Sequence, residues 1–393
     1  MSSGERKYRL LKAISNPKNQ EYRNYFDNPL LLSMFILTFE NHPEVPKRRS
    51  VFYSNVFDTL YSKHDGITKN SFARQRNSGL ERSDFQEIIC LFSALTFSSG
   101  KYIFSEKEII KKIELIGNSK SNFNFNPQRV LRDLEVSISI LIKDGNEFTF
   151  PHRSMQEYFA ALCVKEYLKV DNNKEEYITK LIKKSKYSST ERFKNFWYLL
   201  KEIDRRSFNT HYLIPILKRL NDKFSRYKSG KVELGEKGMM ELLKYLEFGF
   251  YFIDITKQNK NLLTKEEKEE TLSNRSSNYR KFAIRHINNI YWDAIELSGL
   301  DTTTLILKYF NKIGHLIKTR RHVENFRVKK YASNKLFSLS QVYDDRLFSI
   351  FEEIRINELL SLAVQVILKK YDEVMTENLD DSNEIGNILG LSQ

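Results

Sequence analysis

Apolar residues recur at helical spacing over most of this 393-residue chain. Every third or fourth position is apolar in the longest runs, which places those side chains on one face of an α-helix. A different pattern occurs at Glu147–Phe150, where apolar and polar residues alternate as in a strand, after the turn signal Asp144–Gly145–Asn146. The pattern predicts a mainly α-helical protein with a single small β element confined to residues 100–151.

The order of elements predicted over residues 81–170 is typical of a winged-helix domain. The predicted elements are a helix over 84–98, a strand over 102–104, a helix capped by Ser105 and Glu108, a helix after Pro127, wing strands at 138–142 and 147–150, and a final helix. The first helix would bury Phe85, Ile88, Ile89, Phe92 and Leu95; the last would bury Met155, Tyr158, Phe159, Leu162 and Cys163.

Two helices are predicted before this domain. Asn28 is a good N-cap and Pro29 suits the first helical position. The apolar face of that helix would consist of Leu31, Met34, Phe35 and Thr38. The second helix begins near Pro46 and would bury Phe52, Val56 and Leu60. Its first turn carries Lys47, Arg48 and Arg49, where the helix dipole disfavours cations, so we expect either an acidic partner or full exposure to solvent.

His152 lies just before the predicted last helix. Ser154 and Glu157 have the spacing of a capping box at its start. A helix N-terminus favours anions such as phosphate, so His152 is a candidate ligand-binding residue. The alternative is a histidine that simply packs at the corner between strand and helix.

Two sequence blocks carry a resemblance to a known family. The block from Phe148 to Ala161, FTFPHRSMQEYFAA, resembles the end of the winged-helix domain in NACHT-type STAND NTPases, the group that contains animal NOD-like receptors and bacterial anti-phage sensors. Asp27–Ser33, DNPLLLS, resembles the element that opens the helical domain after the NTPase core of that family. The resemblance covers roughly residues 5–170. It implies a helical domain over 1–80 and a winged helix over 81–170, and it does not extend over the remainder. Helical spacing of apolar residues predicts an α-helical domain over 171–371, which would be sensor-like because C-terminal parts sense the trigger in this family. The last 22 residues contain six acids and no base, which predicts an acidic, partly disordered tail over 372–393.

The phosphate-binding loop of that family has no counterpart here. No G-x-x-x-x-G-K-[ST] motif occurs in the sequence, and only 27 residues precede Asn28. We therefore expect the chain to be the C-terminal portion of such a protein, with an NTPase core in a missing N-terminal part or a separate chain. Alone it is expected to hold no cofactor and to be no enzyme.

The resemblance also implies a function. The chain would be the regulatory and sensing portion of a switch in innate immune, anti-phage signalling. Its helical and winged-helix domains would fold over ADP, with ATP and Mg²⁺ also held only by the core. His152 would donate a hydrogen bond to the β-phosphate, and Pro29 would lie against the base. An unknown trigger, protein or nucleic acid, would open the switch and permit homo-oligomerisation.

Composition limits the other possibilities. The start MSSGERKYR is no signal peptide, and no apolar run is long enough to span a bilayer, so a cytoplasmic location without membrane association is expected. Cys90 and Cys163 lie in apolar helical patterns, and the seven histidines form no metal-ligand spacing. No catalytic set of residues can be proposed.

A second function remains open because the charge is uneven. Residues 171–371 carry 39 Lys and Arg against 25 Asp and Glu. A basic region can attract nucleic acid, although lysine-rich helices are also ordinary solvated surfaces. In this reading the chain is a winged-helix nucleic-acid-binding protein. Its recognition helix, about 127–136, would offer Gln128, Arg129 and Arg132, diluted by Asp133 and Glu135.

Overall fold

Helices dominate the described residues of the computed structural model. The described residues are 3–15, 29–39, 46, 48–66, 77–119, 125–185, 191–225, 248–255, 279–286, 294–295, 297–299, 337–338 and 364–378. They divide into two units, one formed by Met1–Lys183 with Phe193–His211 and the other by Lys184–Arg192 with Tyr212–Gln393. The domain boundaries predicted from the sequence stay predictions.

The first unit begins with three helices, α1 (Ser3–Ser15), α2 (Pro29–Phe39) and α3 (Arg49–Gly66). The predicted apolar face of α2 is confirmed, because Leu31, Met34, Phe35 and Thr38 are all buried. On α3 the predicted Phe52 and Val56 are buried, whereas Leu60 is half-buried. Pro29 begins α2 as predicted; Asn28 lies outside the described residues.

A mixed helical and β segment follows. Its elements are α4 (Arg82–Ser99), β1 (Ile103–Ser105), α5 (Glu106–Asn118), α6 (Pro127–Arg132), a π-helical turn (Asp133–Ser137), β2 (Ile142–Asp144), β3 (Glu147–Thr149) and α7 (Arg153–Glu166). The three strands form an antiparallel sheet in the order β1-β3-β2, with Ile103 and Ile142 both opposite Thr149. Gly145 turns the hairpin between β2 and β3 at a positive φ of 59°.

The first wing strand is shorter than predicted. Residues 138–141 are not a strand, because their backbone folds back onto the π-helical turn. The N–H of Ile138 donates to the carbonyl of Asp133 at 2.8 Å, and that of Ile140 to the carbonyl of Leu134 at 2.8 Å. Ser139 between them has a φ of 56°. The alternating apolar residues of this stretch are therefore buried around a helix end.

Aromatic side chains fill the core between α3, α4 and α7. Phe57 packs edge-on against Phe159 with ring centroids 5.4 Å apart, and Tyr53 lies 5.5 Å from Tyr158. On α7, Met155, Tyr158, Phe159 and Cys163 are buried as predicted, whereas Leu162 is half-buried. The predicted face of α4 is likewise buried except for Leu95, which is half-buried. This core fixes the start of α7, where His152 lies.

Further helices complete the description. They are α8 (Asp171–Ser185), α9 (Glu191–Ile203), α10 (Arg205–Phe208) with a π-helical turn at Asn209–Leu213, α11 (Ile214–Phe224), and α12 over 364–378. Phe196 of α9 stacks on Phe97 of α4, with ring centroids 5.0 Å apart. Within the first unit, α9 is therefore part of the same core as α4.

The prediction of a single β element is wrong. The second unit contains β4 (Phe248–Ile255), β5 (Tyr279–His286) and β6 (Phe337–Ser338), an antiparallel sheet in the order β5-β4-β6. Strands β4 and β5 pair along their full length, from Phe248 opposite His286 to Ile255 opposite Tyr279. Segment 248–255 reads FGFYFIDI, and aromatic and β-branched residues favour strands. The region predicted to be wholly α-helical thus contains β structure.

Candidate functional site

His152 caps the N-terminus of α7 with its own side chain. The chain leaves β3, passes Pro151 and reaches His152 in an extended conformation, with φ −142° and ψ 139°. The imidazole Nδ1 accepts a hydrogen bond from the backbone N–H of Ser154 at 3.2 Å. An N-cap residue normally accepts such a bond through Ser, Thr, Asp or Asn, and here the imidazole takes that role.

The capping box predicted at Ser154 and Glu157 is therefore wrong. Both residues lie inside α7 and both are buried. The Glu157 carboxylate accepts instead from Asn195 of α9 and from Arg153. The Glu157 side chain is thus hydrogen-bonded to Asn195 of another helix, and not to the backbone N–H that a capping box would use.

The hydrogen bonds around His152 determine its tautomer. The hydroxyl of Ser154 lies 2.5 Å from Nδ1, and Tyr53 of α3 donates its own hydroxyl to Ser154 Oγ at 2.5 Å. Because the Ser154 oxygen accepts the hydrogen bond from Tyr53, the Ser154 hydroxyl donates its own proton to Nδ1 of His152. The backbone N–H of Ser154 donates to the same Nδ1 atom. Nδ1 is then an acceptor, and the proton of the neutral ring is on Nε2.

Burial favours this neutral form. Burial first, and then the charge of the adjacent Arg153, lower the pKa of His152 below its ordinary value of 6.5. The ring is half-buried. At neutral pH and above, the lowered pKa favours a neutral imidazole, whose proton we assign to Nε2 at the positive end of the helix.

A second polar group adjoins His152, and we call it the Glu157 cluster: Arg49, Arg153, Glu157 and Asn195. Arg153 Nε lies 3.0 Å from Glu157 Oε1, and Asn195 Nδ2 donates to Glu157 Oε2 at 2.6 Å. The Arg49 guanidinium donates to Asn195 Oδ1 at 3.3 Å. The cluster joins α7, α9 and α3 through one side-chain network.

Glu157 has a strongly perturbed acidity. Its burial raises its pKa from 4.5 to about 7, although hydrogen bonds from Asn195 and Arg153 and the charge of Arg153 oppose that change. The Arg153 guanidinium also lies over the ring of Tyr102, 4.3 Å from its centroid. Near neutral pH both protonation states of Glu157 are populated.

Pro29, the other predicted contact to nucleotide, is exposed at the start of α2. Its carbonyl accepts from the hydroxyl of Ser33 at 2.7 Å. Helices α2 and α7 each pack against α3. The two predicted contacts thus lie on different helices with a common neighbour.

The predicted recognition helix, α6 with the π-helical turn after it, differs from the sequence prediction in the placement of its acidic residue. Gln128, Arg129 and Arg132 are exposed, whereas Asp133 is completely buried. The Asp133 carboxylate accepts from the N–H of Asn77 at 2.9 Å, from the N–H of Ser78 at 2.8 Å and from Ser137 Oγ at 2.9 Å. Asp133 therefore adds no charge to the surface of α6, contrary to the dilution that its sequence position suggested.

Other kinds of site receive no support from the described part of the chain. It contains no cluster of three His, Cys, Asp or Glu side chains able to hold a metal ion. None of the helices in the described ranges combines the length and the apolar content that a bilayer crossing requires. Cys90 and Cys163 are buried thiols that are not part of a disulfide.

Comparison with known proteins gives no assignment: no family model matches the sequence, and no curated protein matches it.

The sequence pattern pointed to His152 as a candidate but not to the residues that orient it. Tyr53 reads as one more aromatic residue of a helix, and Asn195 as a surface amide between Phe193 and Phe196. Arg153 and Glu157 have the i, i+4 spacing of a helical ion pair. That spacing was the only local signal for the cluster.

Proposed function

We propose that this chain is the regulatory and sensing portion of a NACHT-type STAND switch in innate immune, anti-phage signalling. It acts in the cytoplasm with an NTPase core that supplies the phosphate-binding loop and holds ADP or ATP with Mg²⁺. An unknown trigger, protein or nucleic acid, opens the closed state and permits homo-oligomerisation. The NPLLL element at the start of α2 and the conformation of His152 support this proposal.

The observation that carries the proposal is the pair of contacts that Ser154 makes with Nδ1 of His152, from which we infer the tautomer. A latch to a phosphate needs a hydrogen-bond donor at a position that favours negative charge. The two Ser154 donors at Nδ1 leave the proton on Nε2, and the N-terminus of α7 supplies the positive potential. A neutral donor also releases the phosphate more readily than a fixed cation would, which suits a switch.

For Pro29 we propose only a contact with the nucleotide base. At the exposed start of α2 its ring would provide apolar contact to the nucleotide base. The sequence contains no phosphate-binding loop motif, and a single imidazole cannot replace that loop and its lysine in phosphoryl transfer. Any turnover of nucleotide would belong to the core.

The experiment expresses the chain with its NTPase core and compares His152→Asn with the unchanged protein. Asn keeps a side chain that can cap α7 but is too short to reach a phosphate as imidazole does. One lost charge-assisted hydrogen bond corresponds to roughly a tenfold to hundredfold shift toward the open state. We expect faster ADP release and oligomers without trigger.

His211→Asn is the matched control, because His211 is another histidine of the first unit that makes a polar contact, with the Asp171 carboxylate at 3.3 Å, and it lies away from the start of α7. That variant should leave ADP release unchanged. The proposal fails if His152→Asn protein folds normally and retains ADP as firmly as the unchanged protein.

We also propose a second candidate, a winged-helix nucleic-acid-binding protein, because Arg129 and Arg132 are exposed on α6 while the nearby carboxylate of Asp133 is buried. The basic segment 171–371 would add further phosphate contacts. Its test is the salt dependence of duplex DNA binding, where each phosphate contact contributes about 0.9 to the slope of log affinity against log salt. Replacing both arginines by Ala should reduce that slope by about 1.8. An unchanged slope excludes α6 as the recognition helix.

A further inference from the structure

The Glu157 cluster connects three helices through one amide side chain. Asn195 Nδ2 donates to Glu157 of α7, and Asn195 Oδ1 accepts from Arg49 of α3. Because donor and acceptor ends of the amide are both used, the side chain has one preferred orientation. Helix α9 is thereby hydrogen-bonded to α7 and to α3 at a single residue.

The same three helices meet at two further points. Tyr53 of α3 is hydrogen-bonded to Ser154 of α7, and Glu202 of α9 accepts from the backbone N–H of Ser50 on α3 at 2.8 Å. The N-terminus of α7 is thus tied to α3 directly and also through α9. A movement of α9 would break the tie through Asn195, whereas the contact through Tyr53 and the hydrogen bonds from Gln156 of α7 to Thr96 and to the carbonyl of Lys101 would remain.

We propose that the Glu157–Asn195 hydrogen bond is a coupling switch that transmits displacement of α9 to the N-terminus of α7 and so to His152. Helix α9 lies in segment 171–371, the sensor-like domain of the proposed function. The release of a latch by this route rests on that proposed function. The coupling between the two helices is a property of the chain itself.

The physical basis is the environment of the Glu157 carboxylate. It faces the Arg153 guanidinium from its own helix, the Asn195 amide from α9 and, through that amide, the Arg49 guanidinium from α3. Burial and the charge of Arg153 lower the pKa of the neighbouring His152, and the ring of Tyr102 lies 4.3 Å from the Arg153 guanidinium. The carboxylate of Glu202 binds the start of α3.

Loss of Asn195 removes one of two donors from a buried carboxylate. An under-bonded buried carboxylate must either take up a proton or draw Arg153 closer and away from Tyr102. Burial already raises the pKa of Glu157 to about 7, so the proton is available near neutral pH. Both responses change the charge beside His152 and the first turn of α7.

The test exchanges the hydrogen-bond donor and acceptor between residues 195 and 157. Asn195→Asp sets a carboxylate against Glu157, which repels it above pH 7 and shares a proton with it at pH 5.5. Adding Glu157→Gln restores a donor facing an acceptor, with the direction reversed. Asn172→Asp adds the same charge at an exposed position on α8 and is the matched control.

Hydrogen exchange of the full chain gives the readout. At pH 8 the Asn195→Asp variant should lose protection roughly tenfold to a hundredfold in the α9 amides and in the Ser154 amide that His152 caps. At pH 5.5 most of that protection should return, and the double variant should recover it at both pH values. Asn172→Asp should show neither loss.

Two results would overturn the coupling. One is exchange that rises in α9 while the Ser154 amide keeps its protection, because displacement then does not reach α7. The other is a folded double variant that recovers no protection. If Asn195→Asp unfolds the chain at pH 8, the comparison at pH 5.5 and the double variant still decide the question.

The outcome is separable from that of the proposed function. Hydrogen exchange uses the chain without a core, whereas the His152→Asn experiment measures ADP release from the assembly. If hydrogen exchange shows the coupling but His152→Asn does not change ADP release, α9 and α7 are coupled but His152 is not a latch. If His152→Asn changes ADP release but hydrogen exchange shows no coupling, His152 is a latch that is controlled through other contacts.

Discussion

The carboxylate of Glu202 accepts a hydrogen bond from the backbone N–H of Ser50 at 2.8 Å, across 152 residues of sequence. It also receives the N–H of Arg49 at 3.4 Å. Helix α3 has no acidic residue in its own first turn, where Arg49 instead adds a positive charge. Glu202 therefore supplies the negative charge that the start of α3 lacks, so the acidic partner expected from the sequence lies within this chain.

Glu202→Gln should lower the free energy of unfolding by about 1–2 kcal/mol, because it weakens a charged cap at a helix N-terminus. Urea denaturation followed by circular dichroism measures the change. Glu81→Gln is the control, since Glu81 is the N-cap residue of α4 but makes no capping hydrogen bond through its side chain. Equal effects of the two substitutions would show that the contact to Ser50 contributes nothing.

Asp133→Asn should be more damaging, with a loss of about 2–4 kcal/mol. The buried carboxylate accepts from Asn77, Ser78 and Ser137, and an amide would turn an NH₂ group toward one of those donors. The exposed Asp144 in the β2–β3 hairpin provides a neutral comparison as Asp144→Asn. A loss of less than about 0.5 kcal/mol for Asp133→Asn would contradict the buried network.

The acidity of Asp133 gives the same network a pH dependence. Burial opposes ionisation of Asp133, but the hydrogen bonds from Asn77 and Ser78 outweigh it and lower its pKa below 3.8. A lowered pKa stabilises the fold above the ordinary value, and that stabilisation is lost as pH falls through the folded-state value. Asp133→Asn should therefore flatten the acid limb of the stability curve below about pH 4.

The ionisation of Glu157 should change stability with pH in the opposite direction to that of Asp133. Its pKa is raised from 4.5 to about 7, so the folded state binds more protons than the unfolded chain between these values. Its contribution is fully present below pH 4.5 and is lost as pH rises through 7. The difference in unfolding free energy between the unchanged protein and Glu157→Gln should fall by about 3 kcal/mol across that window. A difference that stays constant with pH would show that Glu157 ionises normally.

The two Ser-x-x-Glu motifs show how far local sequence determines structure. Ser105 and Glu108 form the predicted capping box, and its bonds are made between neighbours on an exposed turn. Hydrogen bonds from Lys101 and from the backbone of Ser105 lower the pKa of Glu108 to about 2. Ser154 and Glu157 have identical spacing but lie in the core, where Tyr53 and Asn195 take their side chains. Whether a Ser-x-x-Glu motif forms a capping box or tertiary contacts depends on whether its side chains are buried. The spacing of residues in the sequence does not show burial.

The fold was predictable where one helical face is apolar, as on α2 and α4. It was not predictable at 138–141, whose alternating pattern describes a strand and a buried turn equally well. The composition of β4 favours a strand, but its partner β5 begins 24 residues after β4 ends, so no local hairpin signal marks the pair. The orientation of His152 depends on contacts with α3, which no motif around residue 152 encodes.

His152 itself can be tested without a core. If the imidazole acts as the N-cap of α7, His152→Ala should lower the free energy of unfolding by about 1 kcal/mol, and His152→Asn by only a few tenths. The comparison is Asn126, the N-cap of α6, which accepts from the backbone N–H groups of Gln128 and Arg129. Asn126→Ala should show a loss close to that of His152→Ala. Equal losses for His152→Asn and His152→Ala would mean that the ring stabilises α7 by packing, so its Nδ1 contacts would no longer fix the tautomer on which the latch depends.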